Sequence, residues 1–181
     1  GDLYFCLTVD GSFLDIHGTT VGTMDCATPF WSAFSDTVKV EAGTTDVVKF
    51  RNYTNGVENW NNFVVILQNI ADAHAADETN GYKEYAVVRA DNWGWNAIAD
   101  TANLPALGWT LECNWDFNTF KSDMQGADVV LDVTNKGTTA EVVATVTTKT
   151  GTVYTQKYLD IPVDGDLYFC LTVDGSFLDI H

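Results

Sequence analysis

Short runs in which apolar and polar residues alternate dominate the chain. In ADVVLDVTN (127–135) and TAEVVATVTTK (139–149), an apolar side chain recurs at every second position, which places these side chains on one face of an extended strand. β-Branched residues are frequent in the same runs, as is typical of strands. The segments predicted as strands are 37–41, 47–53, 62–69, 84–91, 109–114, 127–135, 139–149, 152–161 and 166–174.

Turn residues separate these runs, and one segment has a helical pattern. FNTFKSDM (117–124) predicts a short helix, because Asp116 can cap its start and the segment stops before Gly126. Nine strands and one short helix predict an all-β fold, an antiparallel β-sandwich of jelly-roll type. Tight connections are predicted at Asn135-Lys136-Gly137, Lys149-Thr150-Gly151 and Glu41-Ala42-Gly43.

The first 17 residues, GDLYFCLTVDGSFLDIH, recur without change at residues 165–181. In the second copy the alternation places the apolar residues of 167–173 on one face, so this strand requires a core on that side. We expect the second copy to complete a single module at 18–181. The first copy is then either the tail of a preceding repeat or a donor strand that pairs with a sheet edge, in its own module or in a neighbour's.

The charge balance narrows the choice of partners. The chain has 25 Asp and Glu against 9 Lys and Arg, a formal net charge of −16, so nucleic acid and anionic membrane surfaces are disfavoured. A hydrophobic content of 46% is enough for a sizeable core. No apolar run approaches the roughly 20 residues that a membrane helix needs. This balance favours a secreted or cell-surface protein, a calcium binder, or a domain with a neutral ligand.

Few residues are available for catalysis or for a transition-metal site. His74 is the only histidine outside the duplicated segment, which argues against a Ser-His-Asp triad, a Cys-His pair and a histidine-rich metal centre. No strand has the closely spaced carboxylates expected of a sandwich-fold glycosidase, so we expect no enzymatic activity. Asp-rich turns at 164–166 and 174–176 offer oxygen ligands for a structural Ca²⁺, with solvated turns as the alternative, and no other cofactor is indicated.

The cysteines allow at most one disulfide among the unique positions. Cys6 and Cys170 are copies of one position, which leaves Cys26 and Cys113 as the other two. The residues are either buried thiols or include one disulfide, between Cys26 and Cys113 or between Cys26 and Cys170, in an oxidising compartment.

Four tryptophans occur among Asn, Asp, Gly and Glu residues rather than among aliphatic ones: Trp60, Trp93, Trp95 and Trp115. An indole ring stacks on the C–H face of a pyranose, and neighbouring amides and carboxylates bind its hydroxyl groups, so this pattern favours a sugar site. The alternative is that these rings cap the ends of the sandwich core.

Polar residues beside the tryptophans complete the candidate site. Asn61 and Asn62 either bind sugar hydroxyls or build the turn after Trp60, and Asn92 precedes Trp93. Arg89 either binds a sugar hydroxyl or forms an ion pair with Asp91 that holds the loop. The candidate carbohydrate-binding residues are Trp60, Asn61, Asn62, Arg89, Asp91, Asn92, Trp93, Trp95 and Trp115.

Several blocks resemble a family of secreted β-sandwich carbohydrate-binding modules from gut and rumen bacteria. The blocks are FRNYTNGVENWNNFVVILQN, EYAVVRADNWGW, WDFNTFKSDMQGADVVLDVTNKG and DLYFCLTVDGSFLDI, in that order over roughly residues 30–181. The pattern differs at Phe63, where the family has Trp, and at Trp93, where Tyr is commoner. The resemblance implies non-catalytic binding of β-glucan or hemicellulose by a module that is part of, or appended to, a polysaccharide-degrading enzyme. The duplication supports another hypothesis, a structural or adhesive repeat subunit that assembles by strand exchange.

Overall fold

The computed structural model describes residues 14–15, 22–25, 31–54, 61–71, 81–91, 94–96, 101–102, 117–174 and 176–181. Within these ranges the chain forms two β-sheets and one short helix. The elements are β1 (Leu14–Asp15), β2 (Gly22–Asp25), β3 (Trp31–Phe34), β4 (Val38–Lys39), β5 (Thr45–Tyr53), β6 (Phe63–Gln68), β7 (Glu84–Arg89), β8 (Gly94–Asn96), β9 (Thr101–Ala102), α1 (Phe117–Met124), β10 (Ala127–Asn135), β11 (Thr139–Thr147), β12 (Val153–Pro162), β13 (Tyr168–Asp174) and β14 (Phe177–Ile180).

The strands form an eight-stranded sheet and a six-stranded sheet. The first has the order β1-β3-β13-β6-β7-β8-β9, with β4 also paired to β13, and the second has the order β12-β11-β10-β5-β14-β2. All described pairings are antiparallel except that of β1 with β3. The two sheets and the single short helix confirm the predicted all-β sandwich.

The main core lies between the two sheets because each contributes one apolar face. Strands β10 and β11 alternate strictly between buried and more exposed positions, so the six-stranded sheet has one buried face. The helix adds the fully buried side chains of Phe120 and Met124 to this core. Phe50 and Phe63 meet edge to face in it, with ring centroids 5.1 Å apart.

A second apolar cluster lies on the eight-stranded sheet apart from the main core. It consists of Val64, Ile66, Val87 and Cys170, all buried. Every residue of β6 is buried, which matches its uninterrupted apolar sequence FVVIL and shows that this strand is covered on both faces.

The hairpins and the helix agree with the sequence pattern. Gly137 and Gly151 adopt positive φ angles of 94° and 85° in the turns on either side of β11. The turn at 41–43 is closed by a 3.0 Å hydrogen bond from the Thr44 N–H to the Glu41 C=O. The predicted strand at 109–114 and the cap Asp116 lie outside the described residues. The other predicted strands and the helix at 117–124 are confirmed.

The second copy of the duplicated segment is an inner part of both sheets. Its residues Leu167, Phe169, Leu171 and Val173 all belong to the main core, as the alternation predicted. Of the first copy, the structure describes only Leu14–Asp15, which pairs with β3.

Cys170 is buried, and since Cys26 lies outside the described residues, the pairing of Cys26 with Cys170 stays a prediction. Cys26 and Cys113 lie outside the described residues.

In the part of the chain that the structure describes, no helix has the length and apolar character needed to cross a membrane.

Candidate functional site

The pairing of β6 with β7 brings together the described residues that adjoin Trp60 and Trp93 in sequence. Val64 pairs with Arg89, and one step further the Ala90 N–H donates to the Phe63 C=O at 3.2 Å. The start of β6 and the end of β7 therefore lie side by side at one end of the eight-stranded sheet. Asn61 and Asn62 precede the first of these strand ends, and Ala90 and Asp91 follow the second.

Buried amides connect this end of the eight-stranded sheet to the six-stranded sheet. The Asn52 side chain of β5 donates to Asn62 Oδ1 at 2.7 Å and accepts from the Phe63 N–H at 3.2 Å. It also donates to the C=O of Met124, the last residue of α1, at 3.1 Å. Asn52, Asn61 and Asn62 are at most 1% exposed, so these contacts hold three elements in place rather than facing solvent.

Arg89 and Asp91 form an ion pair with two contacts. Arg89 Nε donates to Asp91 Oδ1 at 3.0 Å, and the second guanidinium nitrogen contacts Asp91 Oδ2. The Asp91 side chain is 2% exposed and that of Arg89 is 22% exposed. Of the two roles predicted for Arg89, the structure shows the ion pair with Asp91. Its two parallel contacts fix the orientation of both side chains.

Strand β12 of the six-stranded sheet forms hydrogen bonds with the end of β7 in the eight-stranded sheet. The Tyr158 hydroxyl donates to the Arg89 C=O at 2.7 Å, and Gln156 Nε2 donates to the Ala90 C=O at 3.0 Å. Burial, with the Asp91 carboxylate nearby, raises the pKa of Tyr158 well above its usual value, so the hydroxyl keeps its proton and remains a donor. The backbone that leads to Asn92 and Trp93 is therefore anchored to both sheets.

The structure describes the predicted site residues to different extents. Trp60, Asn92, Trp93 and Trp115 lie outside the described residues. The backbone of Trp95 lies in β8 and pairs with Val87 of β7 and with Ala102 of β9. Asn61, Asn62, Arg89 and Asp91 converge at one end of the sheet.

Three supporting residues were missed: Asn52, Gln156 and Tyr158. Each occupies an inward position of an alternating strand, and all three are buried. Asn52 and Gln156 could have been identified as polar residues at positions of an alternating strand that face the core. A polar side chain at such a position must find a hydrogen-bond partner inside the core.

The acidic turn that was a candidate for calcium contains two ion pairs with lysine. Asp164 contacts Lys83, whose hydrogen bond lowers the pKa of this carboxyl, and Asp166 lies 3.4 Å from Lys39. Asp174 and Ser176 flank a residue outside the described ranges. Among the side chains that the structure describes, no three His, Cys, Asp or Glu residues are grouped to hold a metal ion.

Comparison of the chain with protein-family models, with curated proteins and with solved structures finds no match.

Proposed function

We propose that this domain is a non-catalytic carbohydrate-binding module that holds a neutral β-glucan or hemicellulose chain against exposed tryptophans. The observation that carries the proposal is the pairing of Phe63 with Ala90 at the adjoining ends of β6 and β7. Trp60 and Trp93 are each three residues from this pair along the chain, so two segments far apart in sequence reach one end of one sheet.

The polar residues at this end support the tryptophan segments. The side chains of Arg89 and Asp91 bind each other, and Asn62 binds Asn52. These polar groups, which could otherwise bind sugar hydroxyls, hold the protein structure instead. A rigid base of this kind supports recognition, because aromatic side chains on loops bind well when the flanking backbone is fixed. Sugar hydroxyls are then bound by other polar groups near the tryptophans in sequence, such as Asn92.

The charge of the chain agrees with a neutral ligand. A net charge of −16 repels anionic polymers but costs nothing against an uncharged glycan. Stacking on indole rings does not depend on ligand charge, so binding should change little with salt.

Affinity electrophoresis tests the proposal. In native gels that contain β-glucan or xyloglucan, the parent chain should migrate more slowly than in plain gels. Trp93→Ala and Trp95→Ala should each remove this retardation while far-UV circular dichroism stays unchanged.

Tyr53→Ala is the matched control. Tyr53 stacks on Phe177, with ring centroids 4.2 Å apart. It follows the buried Asn52 directly in β5, so its side chain points to the opposite, outer face of the six-stranded sheet. Its removal should leave retardation intact. A parent chain that no polysaccharide retards would refute the function, and unchanged retardation of both tryptophan variants would show that the site is elsewhere.

A second candidate function, a structural or adhesive repeat subunit, is favoured by a different observation. The second copy of the duplicated segment contributes one inner strand to each sheet, β13 to the eight-stranded sheet and β14 to the six-stranded sheet. A spare copy of an inner strand can complete the sheets of another chain. Light scattering of the full chain over a range of concentrations tests this function, and a constant monomer mass would eliminate it.

A further inference from the structure

Residues 165–181 fill a slot that is lined by strands on both sides in both sheets. Strand β13 lies between β6 on one side and β3 and β4 on the other. Strand β14 lies between β5 and β2. We use "slot" for the edges of these five neighbouring strands together with the core positions that receive Leu171 and Leu178, which are 2% and 0% exposed.

Residues 1–17 carry the same side chains in the same order as the segment in the slot. Each contact that residues 165–181 make is therefore chemically available to the residue 164 positions earlier. As sequences the two copies differ only in how the chain connects them to the rest of the module. With the second copy in the slot, the described residues of the first copy, Leu14–Asp15, pair instead in parallel with β3.

The pairing register shows what the connection of the first copy would be. Residues of the second copy pair antiparallel with β2 and β3, which follow the first copy in sequence. The pairs are Ile180 with Gly22, Phe177 with Asp25, Val173 with Ala33 and Thr172 with Phe34.

Moved back by 164 positions, this register becomes that of a local β-hairpin. Ile16 would pair with Gly22, and Val9 with Ala33, so that the chain folds back on itself through residues 17–21. A five-residue connection lies within the usual range for hairpins. Nothing about β2 or β3 requires their partner to lie at the far end of the chain, and closure of a short loop costs less entropy than closure of a long one.

We infer that the slot is a docking site for residues 1–17 of the same chain, in the register that residues 165–181 adopt. The module thus has two alternative closures, one by the second copy and one by the first, which are circular permutations of one fold. Sheets tolerate such permutation when the chain ends lie close together. The inference does not depend on carbohydrate binding.

Equivalent substitutions in the two copies of the full-length chain test the inference. Leu7→Asp and Leu171→Asp each place a carboxylate at a core position in one copy only, which excludes that copy from the slot. Each single variant should keep the parent β-sheet spectrum and a cooperative thermal transition. The double variant should lose both, because neither copy can then fill the slot.

Val47→Asp is the control, since Val47 lies in β5 but is 53% exposed, and this variant should fold like the parent. Loss of folding in Leu171→Asp alone would overturn the inference, because the first copy would have failed to replace the second. A folded double variant would also overturn it, because the slot would not need the apolar face.

Thiol labelling identifies the copy in the slot. Cys170 is fully buried, and Cys6 is its counterpart in the first copy. In Leu7→Asp, Cys170 should resist iodoacetamide, whereas in Leu171→Asp the protection should move to Cys6, as read by tandem mass spectrometry of tryptic peptides.

Size-exclusion chromatography before labelling separates the two sources of a docked segment. Protected Cys6 in the monomer fraction of Leu171→Asp supports docking within one chain. Protection found only in a dimer fraction would overturn closure within one chain and assign exchange between two chains. A folded Leu171→Asp monomer whose Cys6 reacts as fast as in denaturant would overturn docking altogether.

Discussion

Replacement of Asn52 by alanine should cause a large loss of stability, because its side chain joins three elements. The variant loses the hydrogen bonds to Asn62 Oδ1, to the Met124 C=O and from the Phe63 N–H. Each bond contributes about 1 kcal/mol net, and a buried backbone group left without a partner costs about 1–3 kcal/mol more. We expect Asn52→Ala to lower the free energy of unfolding by about 3–5 kcal/mol.

Urea unfolding followed by tryptophan fluorescence measures this loss. With an m-value of about 1–3 kcal/mol/M, the midpoint should fall by more than 1 M while the slope stays the same. The melting temperature should fall by about 6–20 °C, since each kcal/mol shifts a domain of this size by about 2–4 °C.

Arg51→Ala is the matched control for Asn52→Ala. Arg51 is the preceding residue of β5, and its ion pair with Asp128 is exposed, so its removal should leave the urea midpoint almost unchanged. Asn52→Asp keeps the size of the side chain but turns a carboxylate toward two acceptor oxygens, and it should destabilise the fold at least as much as alanine at pH 7. A loss below about 1 kcal/mol for Asn52→Ala would refute the structural role of the network.

Three further predictions concern backbone conformation, pH and the buried ion pair. Gly126→Ala and Gly137→Ala should each lower the free energy of unfolding by urea by about 1–2 kcal/mol, because both residues have positive φ. A much larger loss at Gly126, where a new Cβ would clash with the Lys149 side chain, would show that this side chain cannot move. Burial, with nearby carboxylates, raises the pKa of Tyr85 to about 12. The folded state therefore keeps a proton that the unfolded state loses near pH 10, so the free energy of unfolding should fall between about pH 10 and 12. This fall should be less steep in Tyr85→Phe than in the parent. Arg89→Met leaves its buried carboxylate partner without a cation and should cost about 3–5 kcal/mol by thermal unfolding, whereas a change within error would show that the pair is not structural.

The sequence pattern predicts the four longest strands of the six-stranded sheet well, because one face of these strands is buried and the other is more exposed; they are β5, β10, β11 and β12. Strands β10 and β11 begin at the predicted residues, and their turn glycines mark the hairpins. The same pattern does not predict β2, β8 and β9, which have two to four residues and too few positions to show a period. Strand β2 pairs with β14, which is distant in sequence, whereas β8 and β9 extend the sheet from β7.

The candidate site stays a prediction, and local sequence gives only part of the surroundings of its residues. The neighbours of the tryptophans were identified, but their roles depend on contacts between elements that no short window contains. Asn62 contacts Asn52 of another sheet, and the backbone beside Asp91 is held by Gln156 of a third strand. Such pairings follow from how the sheets stack, so the ion pair of Arg89 was predicted because both of its members lie within three residues, whereas the amide network was not.

The duplicated segment shows why register adds information that sequence identity lacks. Identity alone leaves the first copy as a spare strand with an apolar face and no defined position. The structure shows that the second copy pairs with β2 and β3, which immediately follow the first copy. A shift of 164 residues turns these long-range pairs into a hairpin with a short connection. The first copy can therefore form the same strand pairs as the second. A tandem array of this sequence would offer each slot two identical strands, and the choice between them would depend on connection length rather than on side-chain contacts.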